Sequence, residues 1–285
     1  TVYAVITGDF ARAVSFLFTP DFSRVLAGPS ATSLLADLGA TVVKVERPGT
    51  GDDTRAWGPP WTETTSAYFE AANRTKRSVT LDLRDAGDLA LAHELVRRAD
   101  VLVENFRTGT MDRWGLDAPT LLAANPRLVI LRLTGFGQTG PQRLGAGYDG
   151  KIQAMSGIMA ITGHAETGPT RAGFAVCDVL SGATAAFGVS SALFQRNATG
   201  KGQLVDVSML EATLAFLSGQ IADYSVAGHR QQLSGNQAVS RRPTANLFRA
   251  GDGYILLAVN TEKQYRALMT ALGCEATFDD PRFAD

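Results

Sequence analysis

Leu128-Val129-Ile130-Leu131-Arg132-Leu133 decides the fold. A short, nearly unbroken apolar run closed by Thr134-Gly135 reads as a buried strand. Upstream, the same signal recurs in Asp100-Val101-Leu102-Val103-Glu104 and in the β-branched run Thr41-Val42-Val43-Lys44-Val45. Ser78-Val79-Thr80-Leu81-Asp82-Leu83 alternates and reads as a further strand. Helical stretches separate these runs: Ser30 to Leu38, closed by Gly39, then Asp88 to Arg98, then Pro119 to Ala124. Strands alternating with helices predict an α/β fold, an open, mostly parallel, Rossmann-like sheet with helices on both faces.

Downstream the pattern changes. Gly135 to Gly150 holds six glycines and one proline and reads as a long loop. Leu180 to Arg196 reads as a long buried helix, Gln203 to Val207 as a strand, and Met209 to Val226 as a second apolar helix. Gly228 to Arg242 is polar and reads as a linker. Beyond it lie one strand, Tyr254 to Val259, and one helix, Glu262 to Leu272. These boundaries predict a large domain over 1–220 and a linker with a partial small domain over 221–285. One strand and one helix cannot close a core, so the chain is expected to end mid-domain.

Composition narrows the function classes. Of 285 residues, 45% are apolar and 19% charged, an ordinary globular balance. A net charge of −1 removes the electrostatic case for a nucleic-acid binder. No run approaches ~18 apolar residues, which excludes a membrane span, and the first residues lack a signal-peptide pattern, so a cytoplasmic protein with no membrane partner is expected. Cys177 and Cys274 are too few for a disulfide framework, and His93, His164 and His229 lack metal-ligand spacing, so no metal site is expected.

Two acids stand out. Asp178 follows Gly173-Phe174-Ala175-Val176-Cys177 and precedes a small-residue helix. At a helix start it reads either as an ordinary N-cap or as a carboxylate nucleophile that the helix terminus keeps ionised. Asp149, in Gly147-Tyr148-Asp149, reads as a turn residue or a second acid. Arg47, Arg77, Arg84 and Arg113 lie near strand ends, solvated or lining a crevice where anionic ligands bind.

Several segments, in order, are similar to family III CoA-transferases, the group of formyl-CoA and carnitine CoA-transferases. They include Ser23 to Pro29, Leu35 to Ala40, Lys44 to Gly49 with Gly51 to Arg55, Asp100 to Phe106, Tyr148-Asp149, Gln153 to Gly157, and Val205 to Ala212. The resemblance runs from about Asp21 to Asp285 and implies that Asp178 is the catalytic aspartate. It implies that Val25, Arg47, Leu81, Arg84, Asn105, Phe106 and Arg113 contact coenzyme A, and that Leu26 and Tyr148 face the substrate. The implied reaction moves CoA from an acyl-CoA to a carboxylic acid through aspartyl anhydride and thioester intermediates. CoA is then a substrate, with no resident cofactor, and the implied partner is a second copy in an interlocked homodimer.

Three departures accompany the resemblance. Residues 1–20 do not match the family's first strand, where Pro20 would sit badly. The family's chains continue past Asp285. Leu26 stands where the formyl-CoA enzyme carries a glutamine. A 2-methylacyl-CoA racemase is the alternative on the same fold, but Ala146-Gly147-Tyr148-Asp149 has tyrosine where that subgroup has histidine. A non-catalytic CoA-binding fragment is the alternative from another class.

Overall fold

A computed structural model describes residues 16–283. Residues 1–15, part of the atypical start, lie outside the described residues. The chain begins with β1 (Phe18–Asp21), α1 (Ala27–Asp37), β2 (Thr41–Glu46), α2 (Ala67–Asn73) and β3 (Arg77–Thr80). It continues through α3 (Ala86–Arg97), β4 (Val101–Glu104), α4 (Ala118–Ala124) and β5 (Val129–Thr134). Next come α5 (Asp149–Met155), α6 (Ile158–Ile161), β6 (Gly163–His164), β7 (Gly168–Pro169) and α7 (Val176–Thr199). Then follow β8 (Leu204–Ser208), α8 (Met209–Phe216), α9 (Ser218–Ala227), β9 (Leu247–Arg249), β10 (Tyr254–Leu256) and α10 (Glu262–Ala271).

Six strands form one parallel sheet in the order β3-β2-β1-β4-β5-β8. Side chains alternate faces along each strand. Val101, Val103, Val129, Leu131 and Leu133 point into a core roofed by α1 and α7. Leu102, Leu128 and Ile130 point into a second core containing Ala92 and Val96 of α3 and Leu121 of α4. Each large aliphatic side chain buried this way stabilises the fold by about 1.5–3 kcal/mol. The expected α/β class with helices on both faces is what the chain adopts.

The structure corrects one expectation at the start. Pro20 lies inside β1, which is interior to the sheet, opposite Val43 of β2. The Phe18 carbonyl accepts from Asp100 N–H (2.9 Å), and Phe22 N–H donates to the Val103 carbonyl (2.8 Å). Alternate residues of β1 therefore face β4, and Pro20 is one of them. Its missing N–H removes a ladder bond on that side only. Asp21–Val103 is the single registered pair between β1 and β4.

Contacts divide the chain into two units: described residues up to Ile158 with Ala172–Arg230, and Met159–Arg171 with Gln231 onward. Position 220, where the sequence pattern suggests a boundary, falls within α9. In the second unit β9 and β10 form an antiparallel hairpin and α10 opens with a capping box of Thr261 and Gln264. That gives the unit a strand, β9, that the sequence pattern did not announce.

α7 requires another correction. It is 24 residues long and, by length and composition, apolar enough to cross a membrane, with a window of mean hydropathy 1.4. Scattered Ser, Thr and Gly interrupt its apolar runs, yet the average stays high. In the fold its Cys177, Ser181, Ala185, Val189 and Ala192 are buried. A Cβ on Gly182 would stand 2.9 Å from the Ala27 carbonyl oxygen of α1. The backbones of the two helices therefore approach closely at this point. We expect Gly182→Val to destabilise the protein by about 1–3 kcal/mol through overpacking, read from the denaturation midpoint in urea.

Candidate functional site

Parallel strands place all their carboxyl ends along one sheet edge. Ligands in such sheets bind beyond that edge, where the strand order reverses. Here the order reverses between β1 and β4, and two cavities open there. The larger, about 560 Å³, is lined by Arg24 after β1, Arg47 after β2, Leu81 and Arg84 after β3, and Phe106 after β4. The smaller, about 290 Å³, is lined by Val25, Leu26, Asn105, Tyr148 and Asp178. Arg24 and Phe106 line both. The Arg24 guanidinium lies 5.0 Å from the Phe106 ring centroid, and Phe106 meets Trp114 edge-on at 5.9 Å.

The turn Ser23–Val25 between the cavities is held from below. Val25 has φ +66°, a left-handed conformation that a β-branched residue adopts only under constraint. Its N–H donates to the Asp52 carboxylate (3.2 Å). Asp52 is paired in turn with buried Lys44 (2.9 Å), whose ammonium also donates to the Ser23 carbonyl. Asp21 receives the Ser23 hydroxyl and N–H, the Thr32 hydroxyl (2.6 Å) and Lys76 (3.2 Å). Burial pushes the Asp21 carboxyl up, but Lys76, Lys44 and the two hydroxyls outweigh it and hold it below its usual range. Burial lowers Lys76 to about 8 against the pull of Asp21. Asn105 grips Arg24 by its backbone, accepting from the N–H and donating to the carbonyl, each at 2.8 Å.

Asp178 is the third residue of α7 and not its cap; the N-cap position is Ala175, whose side chain makes no capping bond. The capping acceptor comes from α5. Asp149 Oδ1 accepts from Cys177 N–H (2.8 Å) and Asp178 N–H (3.4 Å), while its Oδ2 accepts from Gln153 Nε2 (2.6 Å). A close backbone approach permits this arrangement: a Cβ on Gly135 would fall 2.5 Å from Gly147 Cα. The Tyr148-Asp149 segment therefore lies directly against the exit of β5. The expectation that the helix terminus keeps Asp178 ionised is overturned. Burial first, then the like charge of Asp149, push the Asp178 carboxyl up to about 7. Burial also raises the neighbouring Cys177 thiol.

Most of the other sequence-predicted residues line one of the two cavities. Arg47 lines the larger one, is half exposed and pairs with Asp53 (2.7 Å). Arg84 is held bidentately by Asp82 and stands in solvent. Arg113 lies on the exposed face of the 3₁₀ turn Met111–Trp114 and lines neither cavity. Tyr148 is largely exposed and shares the smaller cavity with Asp178. The sequence reading missed Arg24, which sits at the seam, and Arg107 and Arg143, which line the smaller cavity. A basic residue just after a strand was the available signal for Arg24, and it required recognising β1. Among the described residues no cluster of His, Cys, Asp or Glu could hold a metal ion.

The model of CoA-transferase family III matches residues 20–285. The chain belongs to this family. It is 42% identical to the succinate–glutarate CoA-transferase of Agrobacterium fabrum over 93% of this chain and 67% of that one. It is 42% identical to the acetyl-CoA:oxalate CoA-transferase of Acetobacter aceti over 94% of this chain and 69% of that one. A solved CaiB/BaiF family protein from Brucella suis is 41% identical, with TM-score 0.87 over 94% of this chain and 71% of that one. The chain thus spans about two thirds of the length of these relatives. As a family III CoA-transferase it is an enzyme that moves CoA between an acyl-CoA and an acid.

The Asp178 carboxyl has consequences for stability. At low pH both folded and unfolded chains carry its proton. As pH rises above the ordinary value of 3.8 the unfolded chain ionises first. The folded transferase therefore loses stability between that value and about 7. We expect Asp178→Asn to be more stable than the parent at about pH 8, by on the order of 2 kcal/mol, with the advantage vanishing near pH 4. Melting curves across this range check it.

Proposed function

We propose that Asp178 is the nucleophile and that the two cavities divide CoA between them. The nucleotide end takes the larger, arginine-bearing cavity, and the thioester reaches the smaller. Support comes from Asp178 lining a cavity that shares Arg24 and Phe106 with the larger one. The guanidinium groups of Arg24 and Arg47 suit phosphates. The Phe106–Trp114 pair offers an apolar wall beside them.

The proposed cycle balances without water, metal or ATP. The Asp178 carboxylate attacks the acyl-CoA carbonyl, forming a mixed anhydride and releasing CoA thiolate. The thiolate attacks the aspartyl carbonyl, forming an aspartyl-CoA thioester and releasing the first carboxylate. The acceptor carboxylate attacks that thioester, forming a second anhydride and releasing the thiolate again. The thiolate then attacks the acceptor's acyl carbon, giving the new acyl-CoA and restoring Asp178. Cys177 is excluded as nucleophile by chemistry: its thiol is buried and kept protonated.

The acceptor class follows from the cavity and the relatives. Arg24 is engaged by Phe106 and lies 4.0 Å from Asp53. Arg107 and Arg143 are exposed on the smaller cavity, and no carboxylate pairs with either among the described residues. These cations suit the distal carboxylate of a dicarboxylic acid, the kind of acid the two relatives' names carry. Exposed Phe187 and Phe194 on α7 and Phe216 after it support pairing with a second copy of the chain.

Two experiments check this function. Incubation with succinyl-CoA followed by hydroxylamine is expected to leave a hydroxamate on the peptide containing Asp178, and none in Asp178→Asn, which is inactive. An adduct on Cys177 overturns the assignment. Arg143→Gln is expected to raise KM for succinate or glutarate by about tenfold, the loss of one charged hydrogen bond, and to leave KM for a monocarboxylate unchanged. Equal effects on both acids refute the distal-carboxylate role.

A further inference from the structure

The first turn of a helix offers unpaired N–H groups that stabilise any anion placed against them. In α7 these amides serve a different carboxylate from the one that reacts. Asp149 reaches from α5 to Cys177 N–H at 2.8 Å, and it is only 8% exposed. It cannot swing away, because Gln153, wholly buried, donates to its other oxygen at 2.6 Å. Gln153 is itself fixed, its Oε1 accepting from Ala172 N–H (2.9 Å). Asp178 is left on the cavity side, with a like charge behind it.

We propose that Asp149 is a positioning residue: its carboxylate claims the first-turn amides of α7 and leaves Asp178 without the hydrogen bonds that would weaken it as a nucleophile. This rests on Asp178 being the nucleophile. A carboxylate that is poorly stabilised attacks a thioester more readily. The upward displacement of the Asp178 carboxyl to about 7 has burial as its first cause and Asp149 as its second, in line with this geometry. The other titratable groups around Asp178 are Cys177 on its own helix and Tyr68 on α2. Across the cavity stand Arg24, Arg107, Arg143, Asp53 and Tyr148. None of these takes the amides of Cys177 and Asp178.

Asn at position 149 keeps an acceptor oxygen for the amides and loses the charge. In Asp149→Asn the acidic limb of kcat/KM for succinyl-CoA is expected to move down by about one pH unit. On the plateau kcat falls by about threefold, since nucleophilicity follows basicity. Asp149→Ser removes the same charge, is expected to move the limb in the same direction, and serves where the Asn variant folds poorly. A limb that stays in place in both variants overturns the proposal.

A readout independent of activity separates this from the nucleophile assignment. The stability gap between parent and Asp178→Asn, followed against pH, reports where Asp178 ionises. Repeated in the Asp149→Asn background, that window is expected to move down. If the window moves but Asp178→Asn still transfers CoA, the nucleophile assignment fails. If Asp178→Asn is inactive but the window stays in place, Asp149 is not the positioning residue.

Discussion

The arrangement of this molecule depends on a buried ionic lattice at the carboxyl end of β1. Asp21, Lys76, Lys44 and Asp52 are each almost wholly removed from solvent, two acids against two bases. Charges so placed are tolerated only when every one is paired and hydrogen-bonded. Here the pairing uses backbone groups of Ser23, Val25 and Pro29 as well as side chains. The lattice therefore specifies the path of the Ser23–Val25 turn, including the left-handed Val25. Breaking one member strands its partner's charge in the interior, which costs about 3–5 kcal/mol in buried pairs. The conformation of the turn that carries Arg24 into both cavities is thus coupled to the stability of the sheet.

A second charge arrangement, at α7, works in the opposite sense. Around Asp21 every acid faces a base, and its carboxyl is held low. Around Asp178 the nearest carboxylate is another acid, and the carboxyl is held high. The same side chain is displaced in opposite directions in the two places because of what surrounds it. Glu46 extends the first pattern outward: Arg55 holds it bidentately and Ser78 donates to it. Despite the counter-effect of burial, these partners hold it down to about 2. That chain of contacts ties β2 and β3 to the segment carrying Asp52.

Much of the fold was legible in sequence where the signal is local. β4 and β5 are apolar runs whose alternate residues feed two cores, so their pattern alone declares a buried strand. β1 was not legible, because Phe18–Asp21 is four residues long and contains Pro20. Its strand character comes from Thr41–Lys44 and Asp100–Val103, which the local pattern does not include. α5 was not legible, because Asp149–Met155 carries only two turns and begins in the last two residues of the glycine-rich loop. For the site, Asp178 was legible as an acid at a helix start. Asp149 was legible as a second acid, but its contact with the first turn of α7 was not, since the two acids are far apart in sequence. Arg113, a basic residue near a strand end, is exposed on the 3₁₀ turn between Thr110 and Trp114, both of which line the larger cavity.

The proposed cycle moves no proton, and the lining of the smaller cavity reflects that. Each step exchanges an oxygen or sulfur anion for another at a carbonyl carbon, so neither general acid nor general base is needed. No histidine lines the cavity among the described residues. His93 bonds the Trp114 carbonyl at 2.9 Å on the far side of α3, and His164 and His229 lie outside both cavities. Isomerising a 2-methylacyl-CoA, by contrast, requires a base to remove the α-proton and an acid to return it. Tyr148 lines the cavity and offers a phenol, not an imidazole. The chemistry that suits this lining is one in which a single carboxylate attacks and leaves. Such a carboxylate must be basic enough to react yet partly ionised at neutral pH, and a carboxyl pushed up to about 7 by burial and by Asp149 meets both demands.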